Sequence, residues 1–205
     1  MGQLEEARVV AVRRALDGLE REGLINRRPG AGTFVASTTP RRVVTADLTN
    51  MMASLAEMGR RTQVRLVEFA YDEPSEEIAA ALKLGPREKV QRSWRIRSLD
   101  GEPFSSLLTY VPERIGRTYT QEEIASGPLL PLIERSGAAV DRATQSLSAT
   151  LAGPEVAREL GIEVGAALLR LTRVVFDRSG RGIEYLSALY RPDMHSFEIE
   201  LTRTA

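Results

Sequence analysis

The chain has 205 residues, no cysteine, a single histidine, and 28 basic against 28 acidic side chains, for a formal net charge of +0. This excludes disulfide staples, thiolate metal sites, histidine metal clusters and histidine-based triads, so neither a metal nor a catalytic set is expected. With no apolar run of membrane-spanning length and no signal-peptide core, a cytoplasmic protein is expected, without membrane partner or cofactor, whose nucleic-acid contacts would need a local basic patch. Val12, Leu16, Leu19 and Leu24 recur near helical spacing, with Arg13, Arg14, Asp17, Glu20 and Arg21 on the other faces. Gly23 stands where a left-handed residue would end the helix. Leu24 and Ile25 start a short strand. Pro29-Gly30-Ala31-Gly32 is turn chemistry leading into a second strand, Thr33-Phe34-Val35.

A helix closed by glycine and followed by a tight basic hairpin is the second half of a winged helix-turn-helix. The helix of such a unit enters the major groove, and the hairpin follows the backbone or the minor groove. The ordered run VRRAL, LEREGLI and RRPGAGTFV resembles the wing half of the DNA-binding domain of GntR-family bacterial repressors. The resemblance implies operator DNA as a partner, with Arg13, Arg14, Arg28, Gly30, Gly32 and Thr33 as contact residues. Arg27, Arg28, Arg41 and Arg42 are candidates for the basic patch. Upstream the pattern departs: Arg8, Val9, Val10 and Ala11 stand where such repressors carry Ser-Arg-x-Thr. Residues 1–36 are therefore expected to be a partial winged helix, leaving Val12, Leu16 and Leu19 short of apolar partners. A trimmed chain, a misplaced start codon and a remnant that has lost its DNA all fit that expectation.

Ser37 to Thr45, STTPRRVVT, is polar and contains proline, so residues 37–48 read as a linker. Asp47 or Thr49 could cap a helix through Met58, ended by Gly59. Val64 to Tyr71 has the pattern of a strand. Ser75 to Leu84 reads as a helix with Glu76 and Glu77 in its first turn and Gly85-Pro86 beyond its end. Val90 to Leu99 and Pro103 to Val111 form a hairpin around Asp100-Gly101. Ile124 to Arg135 is helical in part, Val140 to Leu151 is a strand, and Pro154 to Leu160 is a short helix with proline first and Gly161 after. Ala167 to Asp177 and Gly182 to Tyr190 form a second long hairpin around Arg178-Ser179-Gly180, and Phe197 to Leu201 could add an edge strand. Strands dominate, with helices between hairpins, so residues 49–205 are expected to be α+β around an antiparallel sheet.

WRIRSLDGEP, TYVP, ARELGIEVGAALLRLTRVVFDRSGRGIEY and LYRPD then match, in order, the effector-binding domain of the HutC branch of GntR regulators. That domain, called UTRA, has a fold similar to chorismate lyase. Arg95 and Arg97 lie two apart on one strand and project from one face, while Trp94 and Ile96 project from the other. Two adjacent guanidiniums make a fork for phosphate or carboxylate, although an alternating strand can equally show its polar face to water. The resemblance implies the fork. It also implies that Glu184 and Tyr190, an even number of positions apart, hydrogen-bond the ligand, with Thr62 and Thr109 adding hydroxyls. Leu107 and Gly127-Pro128-Leu129 stand where relatives that bind amino-sugar phosphates carry Glu and Ser-x-Tyr. Sugar hydroxyls would stay unpaired there at about 1–3 kcal/mol each, so the expected effector is an anion other than an amino-sugar phosphate.

His195 is expected to be structural or at the surface, and Gly30-x-Gly32 is no dinucleotide fingerprint, since a helix precedes it and a strand follows. The whole resembles a HutC-type transcriptional regulator, which implies a repressor that acts as a homodimer and answers a small anionic metabolite. A truncated effector-binding module without DNA binding is the rival, and a chorismate-lyase-like enzyme a further one.

Overall fold

A computed structural model describes residues 12–20, 25–28, 32–35 and 62–197, with the backbone alone at 26–28, 34 and 35. The chain divides into two compact units, Met1–Ala46 and Asp47–Ala205. The expected linker, the helix near 49–58, the glycine cap at Gly23 and the edge strand after Phe197 fall outside the described residues.

In the first unit, residues 12–20 are helical (α1), and Arg13 and Arg14 are exposed along with Val12 and Leu19. β1 (Ile25–Arg28) pairs antiparallel with β2 (Gly32–Val35), Ile25 opposite Val35 and Arg28 opposite Gly32. Ile25 is buried. Gly32 has φ 106°, a conformation that a side chain would strain, which is why the turn sequence needs glycine there.

In the second unit, β3 (Gln63–Asp72), β4 (Val90–Leu99), β5 (Glu102–Pro112), β6 (Val140–Leu151), β7 (Ala167–Asp177) and β8 (Gly182–Tyr190) form one sheet. Its order is β3-β4-β5-β8-β7-β6 and every pairing is antiparallel. The β4–β5 turn has Asp100 at φ 51° and Gly101 at φ 84°, the paired positive angles whose twist suits a two-residue hairpin. The β7–β8 turn is tied by the Asp177 carboxylate, which accepts from the Ser179 and Arg181 amides at 2.9 and 3.0 Å.

Alternation along the strands divides the sheet into two buried faces. The first carries Trp94 and Ile96 and is covered by α2 (Glu76–Leu82) and by the helix Pro154–Leu160. The second is covered by three short helices, α3 (Glu113–Gly116), α4 (Gln121–Ser126) and α5 (Leu129–Arg135), so Pro154–Leu160 is α6. One helix from Ile124 to Arg135 does not form, because Pro128 cannot continue one and Gly127 is extended. The Thr120 and Glu123 capping box starts α4 instead. α2 ends earlier than its glycine suggests. Lys83 takes the left-handed position (φ 53°), and Leu84 N–H reaches back to Ala79 O at 2.9 Å. Burying Leu82 outweighs the cost of a non-glycine cap there.

Gly182 sits under α2, where an added Cβ would lie 2.5 Å from Leu82 Cα. That neighbour is backbone and cannot rotate aside. Gly182→Ala is expected to destabilise the second unit by about 1–3 kcal/mol, seen as a lower urea midpoint. An unchanged midpoint would mean that α2 is free to shift from the sheet.

Candidate functional site

The second sheet face carries polar residues where a core would be apolar. On β4, Gln91, Ser93, Arg95 and Arg97 follow one another at every second position, all buried. Antiparallel register sets Thr109 beside Ser93, Leu107 beside Arg95 and Ser105 beside Arg97. On β8, Glu184, Leu186 and Tyr190 take the same face, and on β7 Leu171, Arg173 and Val175 do. These four strands are the inner ones of the sheet, so the site rests on its most constrained part.

Pro128, Leu129 and Leu130 roof this face, and with Leu107 and Leu186 they close a cavity over Arg95, Arg97, Arg173, Glu184 and Tyr190. The enclosed space is about 50 Å³, room for a few water-sized groups beside the arginines. The break in the chain at Gly127-Pro128 is what lets α5 start here and present its first residues to the arginines.

Of the residues predicted to bind effector, Arg95, Arg97, Glu184 and Tyr190 line this cavity. Thr62 and Thr109 stand behind it. Arg97 Nη1 donates to Thr62 Oγ1 at 2.9 Å, and Arg95 Nη2 to Thr109 Oγ1 at 3.2 Å. Thr109 in turn shares a 2.7 Å hydrogen bond with Ser93 Oγ. These hydroxyls aim the guanidiniums. Leu107 and Leu129, two of the three positions where polar groups were expected to be lost, face the cavity, as does Pro128 between them in the chain segment that roofs it; Gly127, the third, does not line it.

Arg173 was not predicted. Its Nε lies 3.9 Å from Glu184 Oε2, and both side chains are 5% exposed. The signal was present in the sequence, since Leu171-x-Arg173-x-Val175 sets one charge in an apolar row, whereas Arg170 of the same strand is exposed. Leu130 and Leu186 were also missed, because nothing in a lone leucine marks it as a wall.

Three arginines and one glutamate are thus the buried charges among the described residues. The surplus is two positive charges. Burial lowers the Arg95 pKa to about 10; Glu184 opposes that shift and Arg97 adds to it. Burial lowers Arg97 as well. Arg95 Nε and Arg97 Nε have no hydrogen-bond partner, and neither has Glu184 Oε2. Donors and one acceptor held this way suit an anion that also offers a hydrogen-bond donor. Tyr190 stacks on His195 with centroids 4.6 Å apart, and burial raises the Tyr190 pKa. His195 is half-buried, and burial lowers its pKa.

Of the residues predicted to bind DNA, Arg13, Arg14 and Thr33 are exposed, and Gly32 opens β2. Arg28 closes β1, its side chain outside the description, and Gly30 lies outside the described residues.

A model of the UTRA domain family matches residues 57–196. The HTH-type transcriptional repressor NagR of Bacillus subtilis is 28% identical over 189 residues, which is 92% of this chain and 77% of NagR. The HTH-type transcriptional regulator Rv0792c of Mycobacterium tuberculosis is 29% identical over 95% of this chain and 72% of its own length. The crystal structure of a GntR-family transcriptional regulator from Enterococcus faecalis superposes with a TM-score of 0.63 at 28% identity, over 68% of this chain and all (100%) of that one.

The charge surplus makes opposite demands on two substitutions. Glu184→Gln removes the sole buried carboxylate found and leaves three cations together. It is expected to cost about 3–5 kcal/mol in phosphate-free buffer. Arg97→Met keeps the packing and removes one surplus cation, so its midpoint should fall by no more than about 1 kcal/mol, or rise. Urea unfolding of both variants checks this, and equal losses would show that the surplus is not felt.

Proposed function

Given that this chain belongs to the UTRA family of GntR-type transcriptional regulators, we propose that its buried arginine cluster is the sensor for a small anionic effector that controls DNA affinity. What carries the reading is the unmatched charge: three buried guanidiniums facing a cavity that holds one carboxylate. Arg95 and Arg97 take the phosphate or carboxylate, and Arg173 adds a third cation beside them. Glu184 accepts from a donor on the ligand, and Tyr190 borders its body. Leu107, Leu129, Leu130 and Leu186 favour an apolar body over a polyhydroxylated one, since each unpaired hydroxyl costs about 1–3 kcal/mol.

DNA is held by α1 and the β1–β2 hairpin through Arg13, Arg14, Arg28, Gly30, Gly32 and Thr33. Two copies act together, because an operator with two half-sites is read by a symmetric pair. The effector binds one dimer geometry better than another, and the population shift changes the fit to the operator spacing. Named regulators among the relatives favour this over turnover of a chorismate-like substrate.

Two measurements test the reading. Thermal midpoints are taken with inorganic phosphate, glucosamine 6-phosphate, aliphatic carboxylates and aromatic carboxylates, on wild type and Arg97→Ala. A ligand at a hundred times its dissociation constant stabilises by about 2.7 kcal/mol, so a real effector is visible. An apolar carboxylate or phosphate should raise the wild-type midpoint and leave the variant unmoved. Retention of the shift in Arg97→Ala, or tight binding of glucosamine 6-phosphate, would overturn the site or its ligand class. Separately, Arg13→Ala should weaken operator binding at least tenfold in a gel-shift titration at fixed salt, and unchanged affinity removes Arg13 from the interface.

A further inference from the structure

The space between the arginines and their roof is small. It measures about 50 Å³. One water-sized group needs roughly 10–15 Å³, so only a few fit. A monatomic ion enters that space as the roof stands.

The charges around it ask for one. Arg95 and Arg97 are 3% and 6% exposed, and Glu184 is the single buried carboxylate among the described residues. Thr109 takes Arg95 Nη2 and Thr62 takes Arg97 Nη1, while the Nε of each arginine has no partner. A threonine hydroxyl meets a donor but neutralises nothing. Loss of a proton does not relieve the excess either. Burial lowers the Arg95 pKa only to about 10, so the group stays charged at neutral pH. Glu184 is already engaged, with its Oε2 3.9 Å from Arg173 Nε. Two neighbouring cations out of water then call for a counterion from solution.

The walls select which. Leu107 stands opposite Arg95 in the β4–β5 register, and Pro128, Leu129, Leu130 and Leu186 complete the lining. A free phosphate or sulfate carries oxygens on every side, and those turned toward leucine would meet no donor. A halide has no such directions to satisfy. It accepts N–H groups on one side and tolerates apolar contact on the other, and chloride gives up its hydration more readily than phosphate or sulfate does. We infer that Arg95 and Arg97 bind a chloride ion in this space, and that chloride competes there with the effector. The competition rests on the sensor reading above, whereas the chloride site stands apart from it. Above its dissociation constant, each tenfold rise in chloride then weakens the effector's apparent affinity about tenfold.

Thermal midpoints are read on the full chain as sodium chloride replaces sodium gluconate at one ionic strength, which holds screening constant. Gluconate serves as the reference because its polyhydroxylated body is what the leucine walls disfavour. Between about 5 and about 150 mM chloride the wild-type midpoint should rise by about 3 °C or more. Glu184→Gln removes the competing negative charge, so its response should be steeper than that of wild type. Arg97→Met removes a donor to the ion, so its response should be nearly flat. A general salt effect would move all three alike. The chloride NMR line, broadened by exchange with bound ion, should be wider over wild type than over Arg97→Met at equal protein concentration, with most of the excess lost in the variant. Wild type and Arg97→Met decide the matter even if Glu184→Gln does not fold.

Equal wild-type midpoints in chloride and gluconate, or a shift and line width retained in Arg97→Met, overturn the chloride site. If inorganic phosphate or a carboxylate of the earlier panel still stabilises the wild type, the sensor reading survives that loss. If neither chloride nor any panel compound stabilises it, both fall. Stabilisation by a panel compound that is undiminished at high chloride overturns the competition alone.

Discussion

Three guanidiniums held out of water against a single carboxylate impose a condition on the rest of the second unit. Desolvating a cation costs several kcal/mol unless its donors are met, and the Arg173–Glu184 pair meets only part of that demand. Hydroxyls from β4, β5 and the residue before β3 answer it. Thr62 takes one nitrogen of Arg97, Thr109 takes one of Arg95, and Ser93 braces Thr109. A sheet interior built for stability alone would carry apolar side chains in these rows, as the opposite face does at Trp94 and Ile96. The charges are tolerated because four antiparallel strands fix the backbone beneath them. The proposed anion would offset the cost of holding them, so that affinity for it and reduced stability of the free protein would have one cause.

The roof shows how local chemistry serves the same end. Thr120 and Glu123 begin one helix, Gly127 and Pro128 stop it, and Leu129 begins the next directly over the arginines. An unbroken helix from Ile124 to Arg135 would keep regular spacing along one face. The break allows Pro128, Leu129 and Leu130 to meet the cavity together. Apolar walls lower the effective dielectric around the guanidiniums, which strengthens their pull on a bound anion and also their repulsion without one.

Much of this could be read from the chain. Period-two alternation in VQRSWRIRSL puts Arg95 and Arg97 on one face, and the Asp100-Gly101 turn and its register then bring Thr109 and Ser105 alongside. Glu184 and Tyr190 share a face for the same reason. Arg173 escaped notice because a lone arginine in a strand is ordinary, although its place between Leu171 and Val175 in an apolar row sets it apart from Arg170 three residues earlier. Lys83 in a left-handed cap went unread because the preference for glycine there is a small term that tertiary burial of Leu82 overrides. The edge position of β6 was equally hidden. Its alternation fits a strand in any position, and which strand lies at an edge is set by the order of pairing.

That order also ties the site to the outer edge of the sheet, through β7, which carries Arg173 of the site and pairs with β6. One edge of β7 pairs with β8, setting Val175 opposite Glu184, and the other pairs with β6, setting Arg173 opposite Gln145 and Leu171 opposite Leu147. A ligand that draws Arg173 away from Glu184 acts on the strand to which β6 is bound along its whole length. A hydrogen-bonded ladder transmits a tilt or slide better than it absorbs one, since each pair lost leaves two backbone groups unmet.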